Sequence, residues 1–287
     1  MVKKIFIAVR PFSFVATFFP VTVGAMLAEN FSWSVYLLSL LASILIHAGV
    51  NTTNDYFDFL NGLDTKDSMG SSGLITSGKS KPKEILLISI ISYILSVILG
   101  ILLINITKNF NLIWFGLIGI ILGYGYTGKP FNLKYKALGI PLVFLLMGPL
   151  MVLGSYFAQT ESLSIDALLL SIPVGIATVL ILLANEIRDI EHDKNAGAVT
   201  LPIILGEKRA INLYIFLTIL IYIFITILWI LGVLNNFAFL TLLSIKIYVD
   251  VIKKMKNYSD KKEIAMIDQM SAMGEMILTV TMIISLI

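Results

Sequence analysis

The sequence lacks cysteine altogether and contains only two histidines, His47 and His192. Without cysteine the chain forms no disulfide and offers no thiolate to zinc, to an iron–sulfur cluster or to nucleophilic catalysis. Two histidines are also too few for a typical histidine-rich metal centre. Disulfide-stapled folds, thiol enzymes and histidine-rich metal sites are thereby excluded.

Charge is scarce as well. Only 14% of the 287 residues are charged, whereas soluble domains carry about a quarter. Hydrophobic residues make up 57% of the chain, and the mean hydropathy is +0.92, so the few charges could not cover the surface of a soluble globule. The net charge of +3 is spread along the chain rather than gathered on a basic face, which argues against nucleic-acid binding. The composition therefore predicts an integral membrane protein.

Long apolar runs between polar breaks predict about nine transmembrane helices, since each crossing of the hydrocarbon takes roughly 20 residues. The eighth run is interrupted by Lys246 and Asp250, and the ninth by Asp268 and Glu275. The predicted spans are 11–29, 33–53, 85–106, 111–127, 137–158, 165–187, 209–233, 236–252 and 265–287.

The positive-inside rule sets the orientation. With the N-terminus in the cytoplasm, all of the 21 basic residues except Lys108 and Lys246 fall at or in cytoplasmic segments. The two longest hydrophilic segments, 54–84 and 188–208, face the same side. We therefore expect a multi-pass cell-membrane protein whose chemistry takes place at the cytoplasmic face.

A faint internal repeat relates the two halves of the chain. The second and sixth spans each end in Asn and Asp residues followed by a Gly-containing loop, and the fourth and eighth are each followed by lysines. We expect one domain over 1–287, with pseudo-repeats over 1–136 and 137–264 and a last helix over 265–287. Each half then brings one acidic element to a shared pocket.

The first acidic cluster follows the second span, in Asn51-Thr52-Thr53-Asn54-Asp55-Tyr56-Phe57-Asp58. If the helix continues, the spacing i, i+3/i+4 and i+7 places its amide and carboxylate groups on one broad face. Two phases of this face fit a metal site, one beginning at Asn51 and the other at Asn54. The residues on the face are Asn51, Asn54, Asp55 and Asp58, and the loop beyond them carries Asp64 and Asp67.

The second cluster follows the sixth span, where Asn185, Asp189 and Asp193 form a single stripe at i, i+4 and i+8. Two acidic stripes at a membrane edge are costly unless positive charge lies between them. Oxygen ligands suit Mg²⁺, which typically takes one or two carboxylates together with substrate phosphate oxygens. The two clusters predict Mg²⁺ and a diphosphate.

Basic and aromatic residues near the clusters are candidates for holding the substrate. The Gly-rich segment 70–81 offers backbone N–H groups and Lys79 to an anion. Lysines follow the fourth span, although the positive-inside bias by itself also accounts for them. Arg10 either reaches a phosphate or extends to the interface. The predicted substrate-binding residues are Arg10, Lys79, Tyr126, Lys129, Lys134 and Arg188.

The pairing of Asn54-Asp55-x-x-Asp58 with Asp189-x-x-x-Asp193 resembles the UbiA family of intramembrane aromatic prenyltransferases. Arg10-Pro11 and the turn Tyr126-Thr127-Gly128-x-Pro130 extend the resemblance over nearly the whole chain. Within the family, the fullest match is to the branch that prenylates 1,4-dihydroxy-2-naphthoate in menaquinone synthesis, through residues 54–64, 148–160 and 185–197. Many members place a third aspartate where this chain has Gly62, so Asp64 is the nearest substitute as a metal ligand.

The resemblance implies an all-α bundle of about nine transmembrane helices around a central cavity that opens to the cytoplasm and to lipid. It also implies Mg²⁺-dependent transfer of a polyprenyl group from a prenyl diphosphate, such as geranylgeranyl diphosphate, to an aromatic acceptor. The acceptor of the matching branch is 1,4-dihydroxy-2-naphthoate. Asp58, Asp189 and Asp193 are then the expected catalytic carboxylates.

Two alternatives remain open at this point. The acceptor of a UbiA-type enzyme can instead be geranylgeranylglyceryl phosphate, 4-hydroxybenzoate or a tetrapyrrole, and a few unidentified pocket residues decide between them. A cation-coupled transporter also fits intramembrane acids and a pseudo-repeat. Against the transporter, the acids lie at one membrane face rather than at the midplane.

Overall fold

A computed structural model of the chain describes residues 2–65, 71–258 and 261–287, and every regular element in these ranges is a helix. The predicted all-α class is confirmed. The long helices are α2 (Val15–Met26), α3 (Trp33–Leu60), α4 (Pro82–Thr107), α5 (Leu112–Gly125), α6 (Gly139–Thr160), α7 (Ile165–Arg188), α10 (Glu207–Ile230), α11 (Ile245–Lys256) and α13 (Ile267–Ile284). The short ones are α1 (Val2–Val9), α8 (Ile190–Asn195), α9 (Leu201–Leu205) and α12 (Lys261–Ile264). Asp67 and Gly70 lie outside the described residues.

The predicted spans correspond to these helices, although not all of them are long enough to cross a membrane alone. Six helices in the described ranges are both long and apolar enough, and α1 with Pro11–Met26 makes a seventh if their 48° bend is one broken span. At 14 residues α5 is about 21 Å long. The eighth span begins as a 3₁₀ helix, Asn236–Ser244, before α11. The chain is a multi-pass membrane protein, and nine is an approximate count.

Two helices show how the bundle is layered. Of the most apolar stretch of α7, 72% is buried inside the protein, compared with 22% in α4. Leu170, Leu180 and Leu183 of α7 are fully buried and pack in one continuous core with residues of α10 and α13. Lipid is as apolar as leucine, so the apolar side chains of α4 are stable when they face the membrane. Helix α4 therefore lies at the periphery, and α7 forms the centre of the bundle.

The helix α3 extends seven residues beyond the span predicted from hydropathy, which ends at residue 53. Asn54, Asp55 and Asp58 are all buried, and they continue the same helix as the apolar residues before them. The first acidic cluster is therefore helical, as its spacing requires. A hydropathy criterion ends the span too early because the polar residues face the interior of the protein rather than lipid.

Close packing of α2 on α6 depends on Gly24. A Cβ atom on Gly24 would lie 2.2 Å from the carbonyl oxygen of Val152, a distance that requires the two backbones to separate. We expect Gly24→Ala to destabilise the protein by about 1–3 kcal/mol, measured as a lower apparent unfolding temperature in detergent. The matched control is Gly100→Ala in α4, where no atom of the described part of the chain lies within 4 Å of the added Cβ. Equal stability of both variants would contradict the packing argument.

Candidate active site

A cavity of about 420 Å³ lies where the C-terminal ends of α3 and α7 meet, with α13 and the turn before α2 closing its sides. Its polar lining includes residues of both predicted clusters: Asn51, Asn54, Asp58, Asp64, Asn185, Asp189 and Asp193. One or two helical turns deeper, the walls are mainly apolar: Val15, Ala16, Val50, Val143, Met147, Ile181 and Leu182. The two clusters, more than 120 residues apart in the chain, therefore share one cavity.

The first cluster does not bring all its members to this cavity. Asn51, Asn54 and Asp58 line it, and the Asn51 amide donates to the carbonyl of Val9 and to Ser13 Oγ, each at 2.9 Å. Asp55 lies on another side of α3, where it forms an ion pair with Arg10 and accepts from the backbone N–H of Ser72 at 3.2 Å. Asp55 therefore acts as an anchor for the chain before α2.

The end of α3 explains how Asp64 joins the cluster. Gly62 adopts a left-handed conformation with φ 76°, which ends the helix. The backbone N–H groups of Leu63 and Asp64 then donate back to the carbonyl of Asp58, at 2.9 and 3.2 Å. This reversal returns the Asp64 side chain to the cavity next to Asp58. An aspartate at position 62 would disfavour the left-handed backbone that glycine provides.

Burial and the neighbouring Asp58 carboxylate raise the pKa of Asp64 to about 6, although Lys134 and Arg10 oppose the shift. Burial likewise raises the pKa of Asp193. Both shifts show that negative charge has accumulated in a poorly solvated space. A cation entering between these groups would be stabilised there.

Lys134 is the basic group between the two clusters. It lies in a short 3₁₀ turn, Leu133–Lys136, whose backbone is fixed by Lys134 N donating to the carbonyl of Tyr126 at 2.8 Å. Its ammonium group is 2.6 Å from Asp58 Oδ2 and 3.4 Å from Asn54 Oδ1. The Tyr135 hydroxyl donates to the other Asp58 oxygen at 2.5 Å.

The charge of Lys134 also acts on Asp64 of the first cluster and on Asp193 of the second. Burial alone would lower the pKa of Lys134, but the charge and hydrogen bond of Asp58, together with Tyr126 and Tyr135, outweigh it and the pKa is raised. The side chain is therefore a permanent cation at the centre of the site.

The second cluster keeps its helical register past the end of α7. Asp189 N donates to the carbonyl of Asn185 at 3.1 Å, and Asp193 N donates to that of Asp189 at 2.9 Å, so the stripe continues into α8. Arg188 holds the Asp189 carboxylate through Nε at 2.9 Å and a terminal nitrogen at 2.7 Å. Its other terminal nitrogen is 2.6 Å from Asp268 of α13.

The lining also includes polar residues that were not among the predicted site residues, such as Thr178, Glu186, Asp268 and Gln269. Asp268 was visible in the sequence as an acid interrupting the ninth span, and Glu186 as an acid beside Asn185. Glu275, the other acid of the ninth span, is fully buried and accepts from Thr178 Oγ1 at 2.5 Å. The last helix thus closes the cavity and supports one of its walls.

The predicted substrate-binding residues divide into two groups. Arg10, Tyr126, Lys134 and Arg188 line the cavity. Lys79 and Lys129 are exposed and do not line it, and Lys129 instead borders a separate groove beside Tyr56, Phe57 and Tyr124. A role for these two lysines stays a prediction.

The oxygen ligands that line the cavity fit a Mg²⁺ ion that enters together with a phosphate group. Within the described residues, no group of three acidic or histidine side chains is arranged to hold a metal by itself. The lining does supply carboxylate and amide oxygens from both clusters, the hard ligands that Mg²⁺ takes together with water and substrate phosphates. Such a metal needs only one or two carboxylates from the protein, so the set present is sufficient.

Comparisons with known proteins agree with one another. The profile of the UbiA prenyltransferase family matches residues 17–271. The chain is 35% identical over 247 residues to the 1,4-dihydroxy-2-naphthoate octaprenyltransferase of Bacillus subtilis (strain 168), covering 85% of this chain and 79% of that protein.

Solved structures share the fold. A UbiA homolog from Archaeoglobus fulgidus, bound to GPP and Mg²⁺, superposes with a TM-score of 0.65 at 18% identity, covering 97% of this chain and 99% of that one. The apo structure of a UbiA homolog from Aeropyrum pernix K1 gives a TM-score of 0.76 at 15% identity, with coverages of 96% and 98%. The predicted bundle architecture is confirmed by these likenesses.

Proposed function

The chain belongs to the UbiA prenyltransferase family, and on that basis we propose that it transfers a polyprenyl group from a prenyl diphosphate to 1,4-dihydroxy-2-naphthoate, in a Mg²⁺-dependent reaction at the cytoplasmic face of the membrane. That the protein is a prenyltransferase follows from its family and from its naphthoate-prenylating relative. The acceptor, the metal and the orientation are the proposed parts.

The observation that carries the proposal is the division of one cavity into an oxygen-rich end and an apolar end. A prenyl diphosphate has the same division, with a highly charged head and a hydrocarbon tail. The head fits among the two clusters, Lys134 and Arg188, and the tail fits along walls such as Met147, Ile181 and Leu182. The Archaeoglobus relative, which shares the fold, is bound to GPP and Mg²⁺, and this supports a prenyl diphosphate donor and Mg²⁺ for the present chain.

The residues that would hold Mg²⁺ are Asn54, Asp58, Asp64, Asn185, Asp189 and Asp193, with Asn51 beside them. The metal would neutralise the charge that develops on the departing diphosphate. Asp58 and Asp189 are already held in place by Lys134 and Arg188, so the site is organised before substrate arrives. Asp55, which does not line the cavity, is assigned to anchoring Arg10.

In the reaction, the bond between the prenyl C1 carbon and the diphosphate oxygen breaks, and its electron pair leaves with the diphosphate. Lys134 and Arg188 stabilise that negative charge by their proximity. The electron-rich acceptor ring forms a bond to C1, and the attacked carbon then restores the aromatic ring by losing its hydrogen as a proton to water, or its carboxylate as CO₂. The apolar walls keep water away from the allylic cation.

The internal repeat supports the same reading. Each proposed half contributes one cluster, from α3 in residues 1–136 and from α7 in 137–264, while α13 in 265–287 closes the cavity with Asp268. Membership of an enzyme family removes the main support for a transporter.

A turnover assay tests the proposal. Purified protein in detergent would receive geranylgeranyl diphosphate, Mg²⁺ or EDTA, and a panel of acceptors. We expect diphosphate release and a prenylated naphthoate, both abolished by EDTA. If product forms only with 4-hydroxybenzoate, a tetrapyrrole or a glycerol phosphate lipid precursor, the proposed naphthoate acceptor is wrong. If turnover persists in EDTA, the proposed Mg²⁺ dependence is wrong.

A further inference from the structure

We propose that Glu186 binds the aromatic acceptor by accepting a hydrogen bond from one of its ring hydroxyl groups. This inference rests on the proposed function, and it assigns the acceptor a place on the cavity wall beside Tyr126. Glu186 lies in α7 directly after Asn185 and lines the cavity.

One oxygen of the Glu186 carboxyl group lacks a hydrogen bond within the described part of the chain. The residue is only 3% exposed, and its Oε2 atom is buried with no hydrogen-bond partner among the residues that the structure describes. A buried polar group without a partner costs about 1–3 kcal/mol, so native proteins rarely leave one unless a ligand or water completes it. The neighbouring ammonium of Lys134 is already engaged with Asp58 and Asn54.

Glu186 borders Tyr126, from the turn after α5, as well as the second cluster of its own helix. Consecutive residues of an α-helix are rotated by about 100°, so Glu186 is turned from Asn185, while Asp193, seven residues further on, returns to its side of the helix. Its Oε1 atom and the ring of Tyr126 both lie 3.4 Å from the position that a Cβ would take on Gly139. The two side chains therefore pack side by side against Gly139, and both line the cavity, so a ligand bound to Glu186 would also meet the ring of Tyr126.

A carboxyl group at this position suits binding of the aromatic substrate rather than of the prenyl diphosphate. A diphosphate carries negative charge and hydrogen-bond acceptors, so a carboxyl group repels it or leaves its own oxygens unpaired. A hydroxylated aromatic ring supplies the O–H donor that Oε2 lacks, and Val143 and Met147 nearby give its ring an apolar surface. Accepting this hydrogen bond raises the electron density of the ring, which favours attack on the prenyl cation.

The test compares Glu186→Met, which removes the oxygens, with Glu186→Gln, which keeps a hydrogen-bond acceptor. We expect Glu186→Met to raise the KM for 1,4-dihydroxy-2-naphthoate about tenfold or more, with the KM for prenyl diphosphate and the Mg²⁺ dependence unchanged. Glu186→Gln should restore the acceptor KM to within a few-fold of wild type. Glu207→Met, at an exposed glutamate that does not line the cavity, is the matched control.

Three outcomes would overturn the inference. They are an unchanged acceptor KM in Glu186→Met, an effect on donor KM or Mg²⁺ dependence instead, and a Glu186→Gln variant as impaired as Glu186→Met. If wild-type protein shows no turnover, the proposed function fails separately. Calorimetric binding of 1,4-dihydroxy-2-naphthoate then decides: weaker binding to Glu186→Met supports the inference, and equal or absent binding overturns it.

Discussion

Replacing Asp58 by asparagine is expected to lower kcat by about 10²–10³-fold while the protein stays folded. Asp58 accepts from Lys134 and Tyr135 on its two carboxylate oxygens and lines the cavity beside Asp64. The asparagine amide has the same shape but no charge, and it can accept on only one side. It would therefore release Lys134 and remove a ligand for the metal that accompanies the diphosphate. Diphosphate release under saturating donor and acceptor measures the loss.

The control for this prediction is Asp250→Asn. Asp250 lies on α11, does not line the cavity and faces Lys253 at a loose 3.4 Å. We expect near wild-type turnover from it. Unfolding temperature and elution volume in detergent show whether Asp58→Asn is folded. A folded Asp58→Asn with full activity would refute a catalytic role for the first cluster.

Replacing Lys134 by methionine is expected to have two opposite effects. The KM for prenyl diphosphate should rise about tenfold to a hundredfold, because a partly buried cation that lines the cavity is lost. The Mg²⁺ concentration for half-maximal activity should fall, because a positive charge that repels the metal is removed from between Asp58 and Asp193. Titrating donor and Mg²⁺ separately measures both effects.

Lys136 provides a matched control for Lys134. It belongs to the same short turn and carries the same charge, but it is exposed and does not line the cavity. If the lysines of this loop serve only to keep it in the cytoplasm, Lys134→Met and Lys136→Met should behave alike. We expect only Lys134→Met to change donor KM. Identical kinetics in the two variants would contradict a role for Lys134 in diphosphate binding.

Much of the site was predictable because its residues recur at the intervals that place side chains on one side of a helix. Asn54 and Asp58 share one side of α3, and Asn185, Asp189 and Asp193 continue one stripe beyond α7, as their intervals predict. The intervals could not say which phase of α3 faces the cavity. The structure places Asn51, Asn54 and Asp58 on the cavity lining and pairs Asp55 with Arg10 instead.

Other residues needed contacts between distant segments. The sequence marks Lys79, Lys129 and Lys134 alike as cytoplasmic lysines, yet only Lys134 of these three lines the cavity. Glu275 had no partner in the sequence, and Thr178, nearly one hundred residues away, supplies one. Glu186 follows Asn185 in the sequence, and only the structure places it on the cavity wall, with one oxygen that has no partner among the described residues.

The sequence by itself determined that this is a multi-pass helical membrane protein, that it carries two matched acidic elements, and that it resembles the UbiA family. These properties depend on composition and on spacings of three to four residues. Such spacings take effect within a single helix and need no contact with the rest of the chain. Only the tertiary structure decided which charges face one another, because partners such as Arg188 and Asp268 come from helices far apart in the chain. In a poorly solvated interior these pairings fix the charge distribution, and the charge distribution determines where a diphosphate and an aromatic acceptor can bind.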